Sequence, residues 1–234
     1  MSTLLTAILF VTAFLALYWV FYGQRKYNEM LNPKRNTELK AVIFDLDGVI
    51  LDSFHAWFNV FNEIRKEKNL KMMDEKEFRK KVWGGSPQAD TKTLNMSLEE
   101  ITRLYKQLYR KHVSKSKLFP NAKEVLDKIK EKNYKIGLVT NTFFENVELT
   151  LAHHGIKEKF DVIVAGDQVE KPKPYPEAIL KACEKLNVQP DETIYVGDTK
   201  NDYKAGKAAG TFVVGLNTHG DLTIGKLSDL LQLL

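Results

Sequence analysis

Five short apolar runs recur along the chain: AVIF (41–44), KIGLV (135–139), DVIVA (161–165), TIYV (193–196) and FVVG (212–215). Each ends in polar or glycine-rich residues. A run that is apolar on both of its alternating faces belongs in a parallel sheet covered by helices on either side. Between the runs, NAKEVLDKIKEKN (121–133) and PYPEAILKACEKLN (174–187) carry helical spacing, the second with Pro174 and Pro176 near its start, where proline is tolerated. Strand, helix, strand in repetition predicts a doubly wound, Rossmann-like α/β core. A last short helix, DLLQLL, is expected behind Ser228 as its cap.

The alternation breaks once. After AVIF 90 residues pass before the next strand pattern, and some 65 of them, 54–118, read as a helical insert. Phe54, Trp57, Phe58 and Phe61 fall at i, i+3, i+4 and i+7, and Leu98, Ile101, Leu104, Tyr105 and Leu108 repeat that spacing later. An insert over 54–118 with its own aromatic core follows, interrupted by a WGGSP loop (83–87). The core then comprises 39–53 and 119–234.

A different pattern opens the chain. From Leu4 to Tyr22 no charge occurs over about 19 residues, close to the ~20 a helix needs to cross a bilayer. Tyr18, Trp19 and Tyr22 gather at its end, and Arg25, Lys26, Lys34 and Arg35 follow, which predicts a single-pass anchor with the remainder on the cytoplasmic side. A cleaved signal peptide is the rival, although its apolar region is usually shorter and preceded by positive charge, which Met1-Ser2-Thr3 lacks. Residues 23–38, polar with Pro33, read as a linker.

Composition changes this picture little. Of 234 residues, 44% are hydrophobic and 28% charged, enough for one real core. The net charge of +5 is spread as mixed lysine and glutamate, as on solvated helix faces, so nucleic acid is not an expected partner. The single cysteine, Cys183, excludes an intrachain disulfide and a cysteine-based zinc site. Neither pattern nor composition fixes the oligomeric state.

The candidate chemistry lies where the strand patterns end. Asp45 and Asp47 follow AVIF, and residues two apart on an extended chain face the same way. Two carboxylates in one small space repel unless a proton or cation joins them; a hard cation such as Mg²⁺, itself prone to bind phosphate oxygens, suits the pair. After TIYV come Asp198 and Asp202, further oxygen ligands. After KIGLV come Thr140 and Asn141, a hydroxyl and an amide suited to a phosphate oxygen. Glu170-Lys171-Pro172-Lys173-Pro174 then offers cations just ahead of a helix, where an anion is well received.

These residues resemble the haloacid dehalogenase superfamily of phosphohydrolases, in its phosphoglycolate phosphatase-like branch. The resemblance spans about residues 39–234. DLDGVILDS is similar to the family's first motif, VTNT to its second, KPKP to its third and GDTKNDYKAGKAAG to its fourth, and the insert is similar to the branch's helical cap. Val49 stands where many members have threonine. The resemblance implies a Mg²⁺-dependent phosphatase acting on a small phosphate ester through an aspartyl-phosphate. It implies Asp45 as nucleophile and Asp47 as general acid and base, with Asp45, Asp47 (through its backbone carbonyl) and Asp198 around the metal. Thr140 and Lys171 would then hold the phosphoryl oxygens, Lys171 rather than Lys173 fitting the K-P-x-P spacing, with Asn141 beside them and Asp202 in support. A phosphomutase, or a tethered interaction protein without catalysis, is the alternative on the same fold.

Other reactive side chains have plainer readings. Cys183 lies on an apolar helix face and is expected in the core. His153 and His154 sit at a helix end before Gly155, where histidine caps carbonyls. Asp167 reads as a turn residue, and His55 is the one histidine near the first motif.

Overall fold

The computed structural model describes residues 37–234. The apolar segment 4–22 and most of the 23–38 linker lie outside the described residues, and among the described residues no helix is long and apolar enough to cross a membrane.

Strands β1 (Ala41–Phe44), β4 (Lys135–Val139), β5 (Val162–Val164), β6 (Thr193–Gly197), β7 (Phe212–Leu216) and β8 (Leu222–Ile224) form one sheet in the order β5-β4-β1-β6-β7-β8, parallel throughout. Its centre is dry because the sequence is apolar on both faces there. Ala41, Val42, Ile43 and Phe44 are all fully buried, as are Ile136, Leu138 and Val139. Five of the six strands were expected from their apolar runs. The sixth, LTI, is too short and too polar to stand out, and pairs with β7 only at the sheet's edge.

Helices cover the faces. α5 (Ala122–Glu131) turns Ala122, Val125, Leu126 and Ile129 inward, and α7 (Glu177–Leu186) buries Ala178, Ile179, Ala182, Cys183 and Leu186 against β1 and β4. α6 (Phe144–His154) follows β4 and ends at Gly155; α8 (Lys200–Ala209) follows β6. The chain's last turns, Leu227–Gln232, form a 3₁₀ helix rather than the expected α-helix capped by Ser228. The segment begins one residue before Ser228, and Asp229 instead accepts from the Lys226 N–H at 3.2 Å.

Between β1 and β4 the chain leaves the sheet and returns through a two-stranded antiparallel ribbon, β2 (Leu51–Asp52) with β3 (Lys117–Leu118), pairing Leu51 with Leu118. The ribbon holds the two passages side by side. Beyond it lie α1 (Phe54–Glu67), α2 (Glu75–Lys81), α3 (Pro87–Leu94) and α4 (Leu98–His112). Asp74, Ser86 and Ser97 cap α2, α3 and α4 by accepting from the N–H of the third residue on. The interior of this cap is aromatic: Phe78 meets Phe54, Phe58 and Phe61 edge-on, at centroid separations of 5.5, 5.6 and 5.5 Å.

Strand order reverses at β1, from which the chain proceeds first to β4 and β5 on one side and later to β6 on the other. Ligands in open α/β sheets bind beyond the carboxyl ends of the strands at such a reversal. The ends of β1, β4 and β6 all open there, beneath the cap.

Candidate active site

Asp45 ends β1. Its backbone N–H donates to Val196 on β6 at 2.9 Å, so the strand register itself fixes the carboxylate's origin. The residue is 5% exposed, and its Oδ1 accepts from the Leu46 N–H at 2.7 Å and from Lys173 Nζ at 2.8 Å. Among the described residues no hydrogen bond reaches Oδ2. Burial, opposed by Lys173 and reinforced by Asp202, Asp198 and Asp47, pushes its pKa well above the usual carboxylate range.

Asp47, two residues on, is held by three donors. Ser53 Oγ and Trp57 Nε1 (3.1 Å) reach Oδ1, and Thr142 Oγ1 reaches Oδ2 at 2.7 Å. One donor comes from the cap helix α1 and one from the loop after β4, so this carboxylate is aimed by both halves of the fold. The intervening turn needs Gly48. Its φ is +90°, and a Cβ there would lie 2.1 Å from Asp198 Oδ2, so only glycine lets β6's acid come this close.

Asp198, Asp45 and Asp202 each present a carboxylate oxygen within 4.8 Å of the others. They do not have equal freedom. Asp202 is fully engaged, with Lys173 Nζ (2.7 Å) and Tyr195 OH (2.8 Å) on Oδ1 and the Thr199 N–H (3.0 Å) and hydroxyl on Oδ2. Despite burial, Lys173 and these hydrogen bonds keep its pKa low. Asp198 is the opposite. Its Oδ1 is buried with no hydrogen-bond partner, and burial together with the charge of Asp202 lifts its pKa to about 7. An orphaned carboxylate oxygen facing a second acid, with Lys173 the only cation among them, fits a hard divalent ion between Asp45 and Asp198.

The lysine that meets these acids is Lys173, not the expected Lys171; the K-P-x-P spacing in fact occurs twice, at Lys171-Pro172-Lys173-Pro174 and at Lys173-Pro174-Tyr175-Pro176. The Glu177 carboxylate on α7 accepts from the backbone N–H of both Glu170 and Lys171, at 2.9 Å each. Lys171 then turns outward, its Nζ 5.8 Å from the Tyr175 ring centroid. Two residues later the chain dives in. Asn141 grips Lys173 at both ends of its backbone, Oδ1 accepting from its N–H (2.9 Å) and Nδ2 donating to its carbonyl (3.0 Å). Lys173 is 4% exposed; burial works against its charge, but Asp202 and Asp45 hold its pKa above the ordinary lysine value.

The same contacts revise Asn141. Its second amide hydrogen goes to the Gly85 carbonyl of the cap loop at 3.0 Å, so both donors are spent and none is left for a phosphate oxygen. Asn141 positions Lys173 and fastens the cap. Thr140 keeps its hydroxyl proton: its Oγ1 accepts from the Thr142 N–H at 3.1 Å and can still donate.

The cap closes over these groups through the WGGSP loop. Asn201 donates to the Gly84 carbonyl at 2.8 Å, and a Cβ at Gly84 (φ +72°) would lie 2.5 Å from Thr199. Loop and core line a half-open cavity of about 90 Å³, with Asp45, Asp47, Thr140 and Lys173 on its core side.

Several of these residues were not expected from the sequence. Trp57 reads as cap interior by its spacing, yet its N–H reaches Asp47; Ser53, Thr142 and Tyr195 sit inside or beside the motifs without a pattern of their own. Thr199 alone had a legible signal, the Thr-x-x-Asp spacing of a helix start, realised as a reciprocal cap with Asp202. His55 is exposed and faces Glu75 at 3.8 Å, away from the acids. Asp167 accepts from the Phe144 N–H at 2.8 Å, starting α6, and Cys183 is buried. His154 meets Ser116 Oγ at 2.9 Å beside the ribbon.

Known proteins share both sequence and shape with this chain. A phosphoglycolate phosphatase of Haemophilus influenzae is 32% identical over 198 residues, covering 79% of this chain and 88% of that protein. The pyrophosphatase PpaX of Bacillus mycoides is 30% identical, covering 84% and 97%. The crystal structure of a β-phosphoglucomutase from Clostridium difficile superposes with a TM-score of 0.72 at 26% identity, covering 82% and 93%. The family model for haloacid dehalogenase-like hydrolases matches residues 42–216. With that match spanning the ends of β1, β4 and β6 that carry the site, the chain belongs to the haloacid dehalogenase-like hydrolase family.

Proposed function

We propose that this protein is a Mg²⁺-dependent phosphatase that hydrolyses a small phosphate monoester through an aspartyl-phosphate on Asp45. The observation that carries the reading is the meeting of Asp45 with Lys173 and the orphaned Asp198 oxygen, beneath a half-open cavity that Asp47 also lines. The hydrolase names of the relatives support it, as does a cavity sized for a small substrate.

Asp45 Oδ2 attacks phosphorus while the bond from phosphorus to the leaving alcohol breaks. Asp47, fixed by Ser53, Trp57 and Thr142, gives its proton to the departing oxygen. It then takes a proton from water, which attacks phosphorus and breaks the bond to Asp45, releasing inorganic phosphate. Thr140 Oγ donates to a phosphoryl oxygen, and Lys173 offsets negative charge on Asp45 and on the transferring group. Asp45, Asp198 and the Asp47 backbone carbonyl would hold Mg²⁺, which when bound supplies charge neutralisation at the phosphoryl oxygens.

The test is phosphate release by the full chain in detergent, with Mg²⁺ or with excess chelator, on a panel of phosphate esters. Asp45→Asn lowers turnover at least about 10³-fold while the protein still folds cooperatively, and chelation abolishes it. Retained turnover in that variant overturns the reading. Isomerisation of a sugar phosphate faster than phosphate release would move it to the phosphomutase alternative. We also propose, from the uncharged 4–22 segment alone, that the protein is a single-pass membrane protein with its catalytic part cytoplasmic. The full chain is expected in the membrane fraction after an alkaline wash, and recovery in the soluble fraction counts against the anchor.

A further inference from the structure

The cap's side of the cavity is aromatic, walled by Trp57, Phe61, Phe78, Trp83 and Tyr105. Among the described residues, the charged group that the cap contributes to this lining is Asp90, on the first turn of α3. It is 5% exposed. Its Oδ2 accepts from the Tyr105 hydroxyl at 2.8 Å, and no described residue hydrogen-bonds to Oδ1. No lysine, arginine or histidine among the described residues pairs with it.

A carboxylate placed near a helix start for electrostatic benefit gains it while remaining in water. Burial beside rings without a cation is unfavourable, and it lifts the Asp90 pKa to about 7. The described residues do not supply the missing partner, and Asp90 lines the space where the alcohol half of a substrate would sit. A second anion in that space would face Asp90 with no cap cation to offset it. A hydroxyl or an ammonium would complete it, and the aromatic rings suit either the C–H face of a polyol or a cation.

Resting on the phosphatase reading, we propose that Asp90 selects the leaving group: it accepts a hydrogen bond at Oδ1 from a hydroxyl or ammonium of the substrate. The enzyme is thereby matched to phosphate monoesters whose alcohol carries such a donor and no second negative charge. This separates the chain from the substrate in the name of its phosphoglycolate phosphatase relatives.

The experiment compares kcat/KM of the full chain with Mg²⁺, at a pH of about 8.5 where Asp90 is ionised, on four matched two-carbon esters: 2-hydroxyethyl phosphate, phosphoethanolamine, ethyl phosphate and 2-phosphoglycolate. At least one donor-bearing ester is expected to exceed ethyl phosphate by about tenfold or more, with 2-phosphoglycolate lowest. Asp90→Asn is expected to shrink the ratio of the better donor-bearing ester to 2-phosphoglycolate by about tenfold or more; should that variant not fold, the wild-type ranking decides alone. Hydrolysis of p-nitrophenyl phosphate without this ranking, including turnover of none of the four, overturns the assignment and leaves the phosphatase reading standing. So does an unchanged ratio in Asp90→Asn. Absence of hydrolysis of all five compounds overturns both.

Discussion

Asp202 in the core and Asp90 in the cap are buried to nearly the same degree, 1% and 5% exposed, and their surroundings have opposite effects. Asp202 has Lys173, Tyr195 and Thr199 on its two oxygens and is held ionised. Asp90 has one tyrosine hydroxyl and is pushed towards the neutral form. The first carboxylate is part of a completed network; the second is half complete. Buried charge with every partner present sets geometry, whereas buried charge lacking a partner leaves a place for something the chain does not contain.

The sharpest way to break the comparison is to remove what completes Asp202. Lys173→Met keeps the stem's volume but leaves Asp45 and Asp202 facing each other without their cation. Breaking a buried pair from one side costs about 3–5 kcal/mol, so the urea midpoint should fall accordingly, and turnover should fall at least about 100-fold. Added Mg²⁺ should restore part of the stability but little of the turnover, because the ion would sit towards Asp198 while Asp202 remains unpaired. A midpoint within error of wild type would mean that the network does not depend on this lysine.

The converse change completes Asp90 by making it neutral. Its folded pKa of about 7 against an ordinary 3.8 means that the folded state holds the proton more tightly than the unfolded chain. Stability from this group is therefore present in full below about pH 4, declines as pH rises and is lost once pH passes about 7. The full loss corresponds to about 4 kcal/mol as an upper figure. Asp90→Asn is isosteric with the neutral form and can still accept from Tyr105, the one other ionisable group facing it among the described residues. Its melting temperature relative to wild type should rise between pH 5 and pH 7 and level off above. A difference that is constant with pH would show that Asp90 is not held neutral by its site.

How much of this was legible depends on what each element requires. The central strands are apolar on both faces, so AVIF, KIGLV and TIYV declared themselves, and with them the strand-end positions of Asp45, Thr140 and Asp198. β8 and the β2–β3 ribbon were not legible, since two or three residues carry no period and their pairing depends on partners far along the chain. In the site, residue types two apart on a strand announced the acids, but the donors that aim them, Trp57 from the cap and Thr142 from the neighbouring loop, come from contacts 10 and 95 residues away in sequence. Asp90 carried no pattern either. An acid on the first turn of a helix is ordinary until its burial is known.

The choice between two lysines two residues apart gives the smallest and most specific test. KPKPYP presents Lys171 and Lys173 as near equivalents, since each begins a K-P-x-P, and spacing alone does not choose between them. The side chain that enters is decided by Glu177, which ties down the Glu170 and Lys171 amides, and by Asn141, which clasps the Lys173 backbone. Lys171 is left over Tyr175 on an exposed surface, a contact of about 0.5–1 kcal/mol at most. Lys171→Met should therefore shift the urea midpoint by an amount equivalent to about 1 kcal/mol or less and leave kcat within about twofold of wild type, against the large losses expected for Lys173→Met. A loss of turnover in Lys171→Met similar to that in Lys173→Met would mean that the KPKP turn rearranges in the working enzyme to bring the outer lysine onto the phosphoryl group.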